Sequence, residues 1–443
     1  MLAEHVLYRI YSEYVYILDT RTSKSYVFDG IAVDLIDLIA GQETLSVPVL
    51  SAHIENLYGS VDSAGVQEDV RWFLEVLEGN GLLRSGSARA EQNGPEEIVD
   101  RFCMHNRILT SVLLELTYRC NEQCRHCYTV DAEKRREDEL TLAEYRKLMD
   151  ELREMDVREL VLSGGEIGMR DDFADIYRYA VDHDFLVTLM TNGTAFTEDQ
   201  MELFLQRPPK VVYISFYGGS AQVHDSITRL PGSFDRSLRT LMRLKCAGIL
   251  VSMKTVAMTL NREDYPNLVK LAQKLRVGLG TGMFVTSGNN GSLESTQYRL
   301  QGQEAYEEII FCKQKYRGAY TPWRERDLAE PVCEAGLTSF TINPYGDMMV
   351  CTSLPISCGN VRTRPIREFW NGDPLLERIR GLRFRDLGEP CVSCQSRNEC
   401  VYCFGSNYVE HGKLTVVQPE VCQAARAFHR SFQKEGKYPR EPE

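Results

Sequence analysis

Between residues 111 and 285, short apolar runs alternate with amphipathic stretches, and this alternation limits the fold more than any other feature of the chain. The β-like runs are Ser111–Leu116, Glu159–Leu162, Phe185–Met190, Val211–Phe216, Leu250–Val256 and Gly282–Val285. Between them, Leu142–Met155, Asp172–His183, Glu198–Leu205, Ser237–Ala247 and Tyr265–Leu275 carry apolar residues at three- and four-residue spacing. A strand, a helix and a second strand joined by a right-handed crossover run parallel, so repeated βα units build a parallel sheet. Helices that all cover one outer face curve it into a partial, TIM-like (β/α)6 barrel of the α/β class. Chemistry in barrels sits on loops at the C-terminal ends of the strands.

The loop after the first of these strands reads Cys120-Asn-Glu-Gln-Cys124-Arg-His-Cys127-Tyr128. Three cysteines spaced C-x3-C-x2-C converge on one metal centre, and no fourth ligand stands nearby. The chain holds 14 cysteines in all, and eight crowd its C-terminal quarter: Cys333, Cys351, Cys358, Cys391, Cys394, Cys400, Cys403 and Cys422. A reducing cytosol disfavours disulfides, so metal is the expected reason for them. A structural zinc site is the competing reading of the first loop. Such sites use paired C-x2-C hooks, and here there is one.

The loop, with Tyr128 after its third cysteine, resembles the motif of the radical S-adenosylmethionine (SAM) superfamily. The resemblance implies a 4Fe-4S cluster on Cys120, Cys124 and Cys127 whose open iron binds SAM. The second strand ends in Ser163-Gly164-Gly165-Glu166, similar to the family's GGE motif, which implies a SAM-ammonium site there. Glycines suit it because a Cβ would block close backbone approach. Ile167 stands where the family usually has proline. The third strand ends in Thr191-Asn192-Gly193 and the fourth in Ser215-Phe-Tyr-Gly218, at positions where the family contacts SAM. By resemblance Ser215 meets the ribose, and Arg229, in His224–Phe234, is a candidate for the SAM carboxylate or a solvated arginine.

In the last quarter, Cys333-x12-Gly346-x4-Cys351, then Cys391-x2-Cys394-x5-Cys400-x2-Cys403 and finally Cys422, resembles the SPASM domain, which implies two auxiliary 4Fe-4S clusters and three clusters in all. The family's interleaved pattern assigns Cys391, Cys394, Cys400 and Cys422 to one. Cys333, Cys351 and Cys403 fall to the other, with Cys358, Cys312 or no protein residue as its fourth ligand. Two zinc ribbons remain the alternative. Thr352 follows Cys351 where sulfatase-maturing relatives carry an aspartate base, which argues against that activity.

The first 85 residues read as three short strands, His5–Ile10, Tyr14–Thr20 and Ser25–Phe28, then three helices, Ile31–Ala40, Val47–Tyr58 and Val66–Leu77, stopped by Gly81. This winged-helix-like α+β unit resembles the PqqD-like recognition element of enzymes that modify ribosomally made peptides. The resemblance implies leader-peptide docking by strand addition at Ser25–Phe28 against Val66–Leu77. The acidic helix, with Glu68, Asp69, Glu75 and Glu78, disfavours the DNA-binding alternative; a packing role is the other. Residues 86–107 read as a linker, 108–308 as the barrel, 309–330 as a bridging region and 331–443 as the SPASM domain.

A net charge of −12 opposes general nucleic-acid binding, which needs a basic field. No run reaches the ~18 apolar residues of a membrane span, and the start lacks a signal-peptide pattern, so a cytoplasmic protein is expected. The expected activity is radical cleavage of SAM and installation of a thioether or carbon–carbon crosslink in a precursor peptide bound through its leader. Flavodoxin or ferredoxin is the expected electron donor, and the catalytic base is unknown. Two other readings are an iron-sulfur redox-sensing or binding module with a winged-helix domain, and a radical SAM enzyme that modifies a protein subunit.

Overall fold

The computed structural model describes residues 2–3, 6–10, 14–19, 24–29, 31–41, 46–58, 63–83, 103–104, 106–129, 138–317 and 326–434. The expected linker over 86–107 falls almost wholly outside them, as do residues 318–325 of the bridging region. Two compact units result, Met1–Asn106 and Arg107–Glu443.

In the first unit β1 (Val6–Ile10), β2 (Tyr14–Asp19) and β3 (Lys24–Asp29) form an antiparallel sheet in sequential order. The helices α1 (Ile31–Gly41), α2 (Val47–Tyr58) and α3 (Ser63–Gly79) follow. Alternation on β2 turns Val15 and Ile17 into a core with Leu35, Ile39, Ile54, Val70 and Leu77. Phe28 and Phe73 meet edge to face with centroids 5.0 Å apart, the arrangement the ring quadrupoles favour. Gly81, at φ 70°, ends α3 in the left-handed conformation that glycine adopts without a Cβ penalty. The Leu82 amide then donates to the Leu77 carbonyl at 2.9 Å, and the Ala3 amide donates to Leu82, tying the two ends of the unit together.

In the second unit β4 (Ser111–Thr117), β5 (Glu159–Gly164), β6 (Leu186–Thr191), β7 (Val211–Ser215), β8 (Val251–Val256) and β9 (Gly278–Gly282) lie side by side and parallel. Leu114 and Leu116 of β4, Leu160 and Leu162 of β5, Val187 and Leu189 of β6, and Val212 and Ile214 of β7 join crossover-helix residues in one core. Each such buried side chain contributes about 1.5–3 kcal/mol. The crossover helices start where the sequence caps them. Thr141 before Leu142–Glu154 and Thr197 before Glu198–Gln206 each form a capping box, with Glu144 and Gln200.

Two features depart from the sequence reading. The sixth strand is Gly278–Gly282, not Gly282–Val285: its Gly-Leu-Gly-Thr-Gly composition carries no strand signal, and pairing with β8 decides it. The sheet also continues past β4. β10 (Ser339–Ile342) adds parallel to β4, and β11 (Met348–Met349) pairs antiparallel with β10. The cysteine-rich part therefore shares a sheet and a core with the barrel.

Candidate functional site

The cysteine loop leaves β4 at its C-terminal end and is held from two sides. The Gln123 and Arg125 amides donate to the carbonyls of Thr228 and Ile227, which anchors the loop to the helix Ala221–Thr228. On the other side the Gly165 and Glu166 amides donate to Thr117 and Arg119 at 2.7 and 2.9 Å. This contact requires glycine. A Cβ on Gly164, whose φ is 130°, would lie 2.3 Å from the Thr117 carbonyl oxygen, and one on Gly165 would lie 2.3 Å from that of Arg119.

A cavity of about 420 Å³ opens beside the loop, within the size range of small-molecule sites. Cys120, Cys124 and Cys127 line it together with Tyr128, Gly164, Gly165, Thr191, Asn192 and Ser215. The three thiols lie within electrostatic range of one another, and Asn192 Nδ2 stands 3.8 Å from Cys120 Sγ. Three sulfurs with a room-sized space on their open side, floored by backbone that no side chain screens, fit a cluster that carries a small-molecule ligand on its unclaimed iron.

One expected SAM contact is placed differently. Glu166 is fully buried and saturated: Oε1 accepts from the Gly168 amide, Oε2 accepts from the Asn192 amide, and the Thr191 hydroxyl reaches both oxygens at 2.7 and 2.9 Å. Burial raises its pKa against the pull of these donors. Its role here is to brace the end of β5 to the end of β6, and it leaves no exposed oxygen for an ammonium. Arg229 has φ 56° and caps its helix. It lines a second cavity, of about 370 Å³, with Cys120, Glu122, Cys124, Cys127 and Gly165, residues that also border the first.

Several residues at the site went unread in the sequence. Glu115, on the lumen side of β4, is buried and accepts from the Tyr128 hydroxyl at 2.6 Å and the Tyr118 hydroxyl at 2.9 Å. Burial lifts its pKa to about 7, outweighing both phenols. Tyr128 lines the first cavity and Tyr118 the second. The His126 ring packs edge-on against Tyr217 at 4.3 Å, and burial lowers its pKa to about 4. Lys254, Tyr213 and Phe284 also line the cavity.

The C-terminal thiols fall into two sets. Cys351 has Cys403 and Cys333 as charge neighbours, and Cys400 has Cys422, Cys394 and Cys391. Cys403 also caps the helix Phe404–His411, accepting from the Ser406 amide at 3.4 Å. Neither candidate for the remaining ligand joins the three-cysteine set. Cys358 faces Asp373 and Arg364 instead, and Cys312, on the helix Gln303–Arg317, faces Lys270 and Lys315. Among the described residues, no three His, Cys, Asp or Glu side chains converge tightly enough for a single ion.

Three family models match the chain: the radical SAM superfamily over residues 114–275, the SPASM iron-sulfur cluster-binding domain over 333–395, and coenzyme PQQ synthesis protein D over 14–83. An AdoMet-dependent heme synthase of Methanosarcina barkeri is 25% identical over 69% of this chain and 94% of its own length. A PqqA peptide cyclase of Granulibacter bethesdensis is 25% identical over 72% of this chain and 88% of its own. The crystal structure of Streptococcus suis SuiB bound to precursor peptide SuiA superposes with a TM-score of 0.67 at 13% identity, covering 96% of this chain and 99% of that one. That likeness carries the fold.

Proposed function

We infer, from a chain that belongs to the SPASM-bearing branch of the radical SAM superfamily and carries a PqqD-type domain at its N-terminus, that it crosslinks a ribosomally made precursor peptide bound through its leader. The observation that carries this reading is the PqqD match over residues 14–83 in the same chain as the cysteine-lined barrel cavity. A heme precursor would give that domain no task, which sets this reading above the one suggested by the heme synthase relatives. A protein-subunit substrate would likewise not use a leader-docking unit.

When bound on Cys120, Cys124 and Cys127, a reduced 4Fe-4S cluster supplies the electron that cleaves SAM to methionine and a 5'-deoxyadenosyl radical. The chain's own part is positional. Gly164 and Gly165 present bare backbone to the methionine end, Ser215 and Asn192 offer polar groups along the wall, and the Glu166–Thr191 brace keeps the β5 and β6 ends in register. The core of the peptide enters the remaining lumen, with β3 and α3 of the N-terminal unit as the leader's docking edge. Forming a thioether or carbon–carbon bond from a C–H and an X–H removes two hydrogens: one leaves as an atom to the radical, the other as a proton and an electron. The C-terminal thiol sets would hold the auxiliary clusters that take this electron, and a flavodoxin- or ferredoxin-type donor would deliver the first one.

The test is anaerobic incubation of the iron-reconstituted chain with dithionite, SAM and the short peptide encoded beside its gene. Formation of 5'-deoxyadenosine together with peptide two hydrogens lighter is expected. A peptide of unchanged mass, with SAM cleaved, would overturn the crosslinking reading. No helix among the described residues is long and apolar enough to cross a membrane.

A further inference from the structure

Among the described residues, one cation of the barrel lumen has no carboxylate paired with it. Lys254 lies on β8 between Met253 and Thr255, and its side chain lines the 420 Å³ cavity. The ammonium rests 4.4 Å from the centroid of the Tyr213 ring, across on β7. An aromatic face attracts the charged form of lysine, so this geometry holds a cation. The strand on the other side makes room for it. A Cβ at Gly280 would fall 2.9 Å from Lys254 Cδ and 3.4 Å from Nζ, so a larger residue there would displace the lysine.

Burial lowers the pKa of Lys254, and no charged group contributes to the shift. Among the described residues no carboxylate forms an ion pair with it. Lys254 is itself exposed to the cavity, so its ammonium is open to an anion that enters there. The anion arrives through the cavity, since the lysine is part of its wall.

Two carboxylates enter that cavity in the peptide-modifying reading on which this inference rests: that of SAM and those of the peptide. The end of β5, where Gly164 and Gly165 stand, is three strands from β8. Strands lie about 4.8 Å apart, so the separation around the sheet is roughly 14 Å. The amino and carboxylate groups of SAM share one carbon, and both belong at the cysteine-loop end. We propose that Lys254 receives an aspartate or glutamate side chain of the core peptide, next to the residue that reacts, and thereby selects an acidic substrate.

The test uses the full-length reconstituted enzyme and the precursor peptide encoded beside its gene, with each acidic core residue changed in turn to its amide. One such change is expected to raise the wild-type KM for peptide tenfold or more, and to add less than twofold to the KM of the Lys254→Gln enzyme. Lys254→Glu paired with the corresponding acidic-to-lysine peptide is expected to recover product that neither change alone allows, a rescue that a merely structural lysine would not give. Cluster absorbance at the wild-type level identifies folded variants, and Lys254→Arg supplies a second variant that keeps the cation. A core peptide without acidic residues, no position-specific effect, or no rescue by the swapped pair overturns the proposal. Tenfold weaker SAM binding by Lys254→Gln in equilibrium dialysis also overturns it, because the carboxylate is then that of SAM. Failure of the wider reading looks different: the wild-type enzyme cleaves SAM and leaves every peptide unmodified.

Discussion

Glu410→Ala should destabilise the Arg107–Glu443 unit by about 3–5 kcal/mol. Arg299 and Glu410 meet through two parallel bonds, Nη1 to Oε2 at 2.9 Å and Nη2 to Oε1 at 2.5 Å, with only 6% and 9% of the side chains exposed. Removing one partner of a buried pair strands the other charge, and that cost sets the magnitude. Arg299 would keep its bond to the Val285 carbonyl at 2.8 Å and its stacking over Phe284 at 4.0 Å, but two guanidinium nitrogens would lose their acceptors. Phe284 and Val285 line the lumen cavity and Glu410 lies on the helix Phe404–His411, so the pair also clamps the cavity wall to the cysteine-rich part. Urea unfolding of the anaerobic protein, followed by circular dichroism, measures the loss. The double variant Arg299→Met with Glu410→Leu, which leaves no stranded charge, should recover most of it. A Glu410→Ala loss below about 1 kcal/mol would show that the pair behaves as a surface ion pair and refute the reasoning.

Gly165→Ala places a Cβ against the Arg119 carbonyl, so SAM binding by equilibrium dialysis should fall at least tenfold as the cysteine loop is pushed away; unchanged affinity would contradict the close-approach argument. Glu115, with its pKa raised from 4.5 to about 7, keeps in the folded state a proton that the unfolded chain releases. Its contribution to stability therefore declines as pH rises from 4.5 to 7, by at most ~3 kcal/mol. Glu115→Gln should gain on the wild type across that window, and parallel stability curves would refute the shift. Phe73→Ala removes a buried ring from the core of the first unit, worth about 3–5 kcal/mol, and should abolish binding of a fluorescent leader peptide while 5'-deoxyadenosine still forms without peptide.

Much of the fold was legible because hydrophobic period and punctuation agreed. The strands and helices of the first unit stand within a few residues of where alternation and Gly81 put them. The barrel strands followed from βα alternation until β9, where three glycines erased the signal and the apolar Met283–Val285 beyond them looked like the strand. Ser339–Ile342 was invisible because its parallel partner, β4, lies more than two hundred residues away, and Met348–Met349, two residues long, pairs only with it. At the site, cysteine spacing singled out the thiols, and the resemblance to the SPASM domain proposed their grouping. It could not locate the fourth ligand, because the sites of Cys358 and Cys312 are decided by packing around Asp373 and Lys270. Glu166 looked like a ligand group in sequence; only the spatial arrival of Thr191 and Asn192 shows that its oxygens are already used. Glu115 in Ser-Val-Leu-Leu-Glu-Leu-Thr had a signal that went unused, a charge inside an otherwise buried strand, where desolvation makes a charge expensive without a task; Lys254 in Val-Ser-Met-Lys-Thr-Val is exposed to the cavity and carried no such signal.

The most direct measurement of the central claim is mass spectrometry of the precursor peptide after anaerobic turnover, set against 5'-deoxyadenosine in the same sample. The account predicts a peptide two hydrogens lighter, formed in proportion to 5'-deoxyadenosine and lost when the leader is removed. Product formed equally well from leaderless peptide, or no 5'-deoxyadenosine from a fully iron-loaded chain, would contradict it.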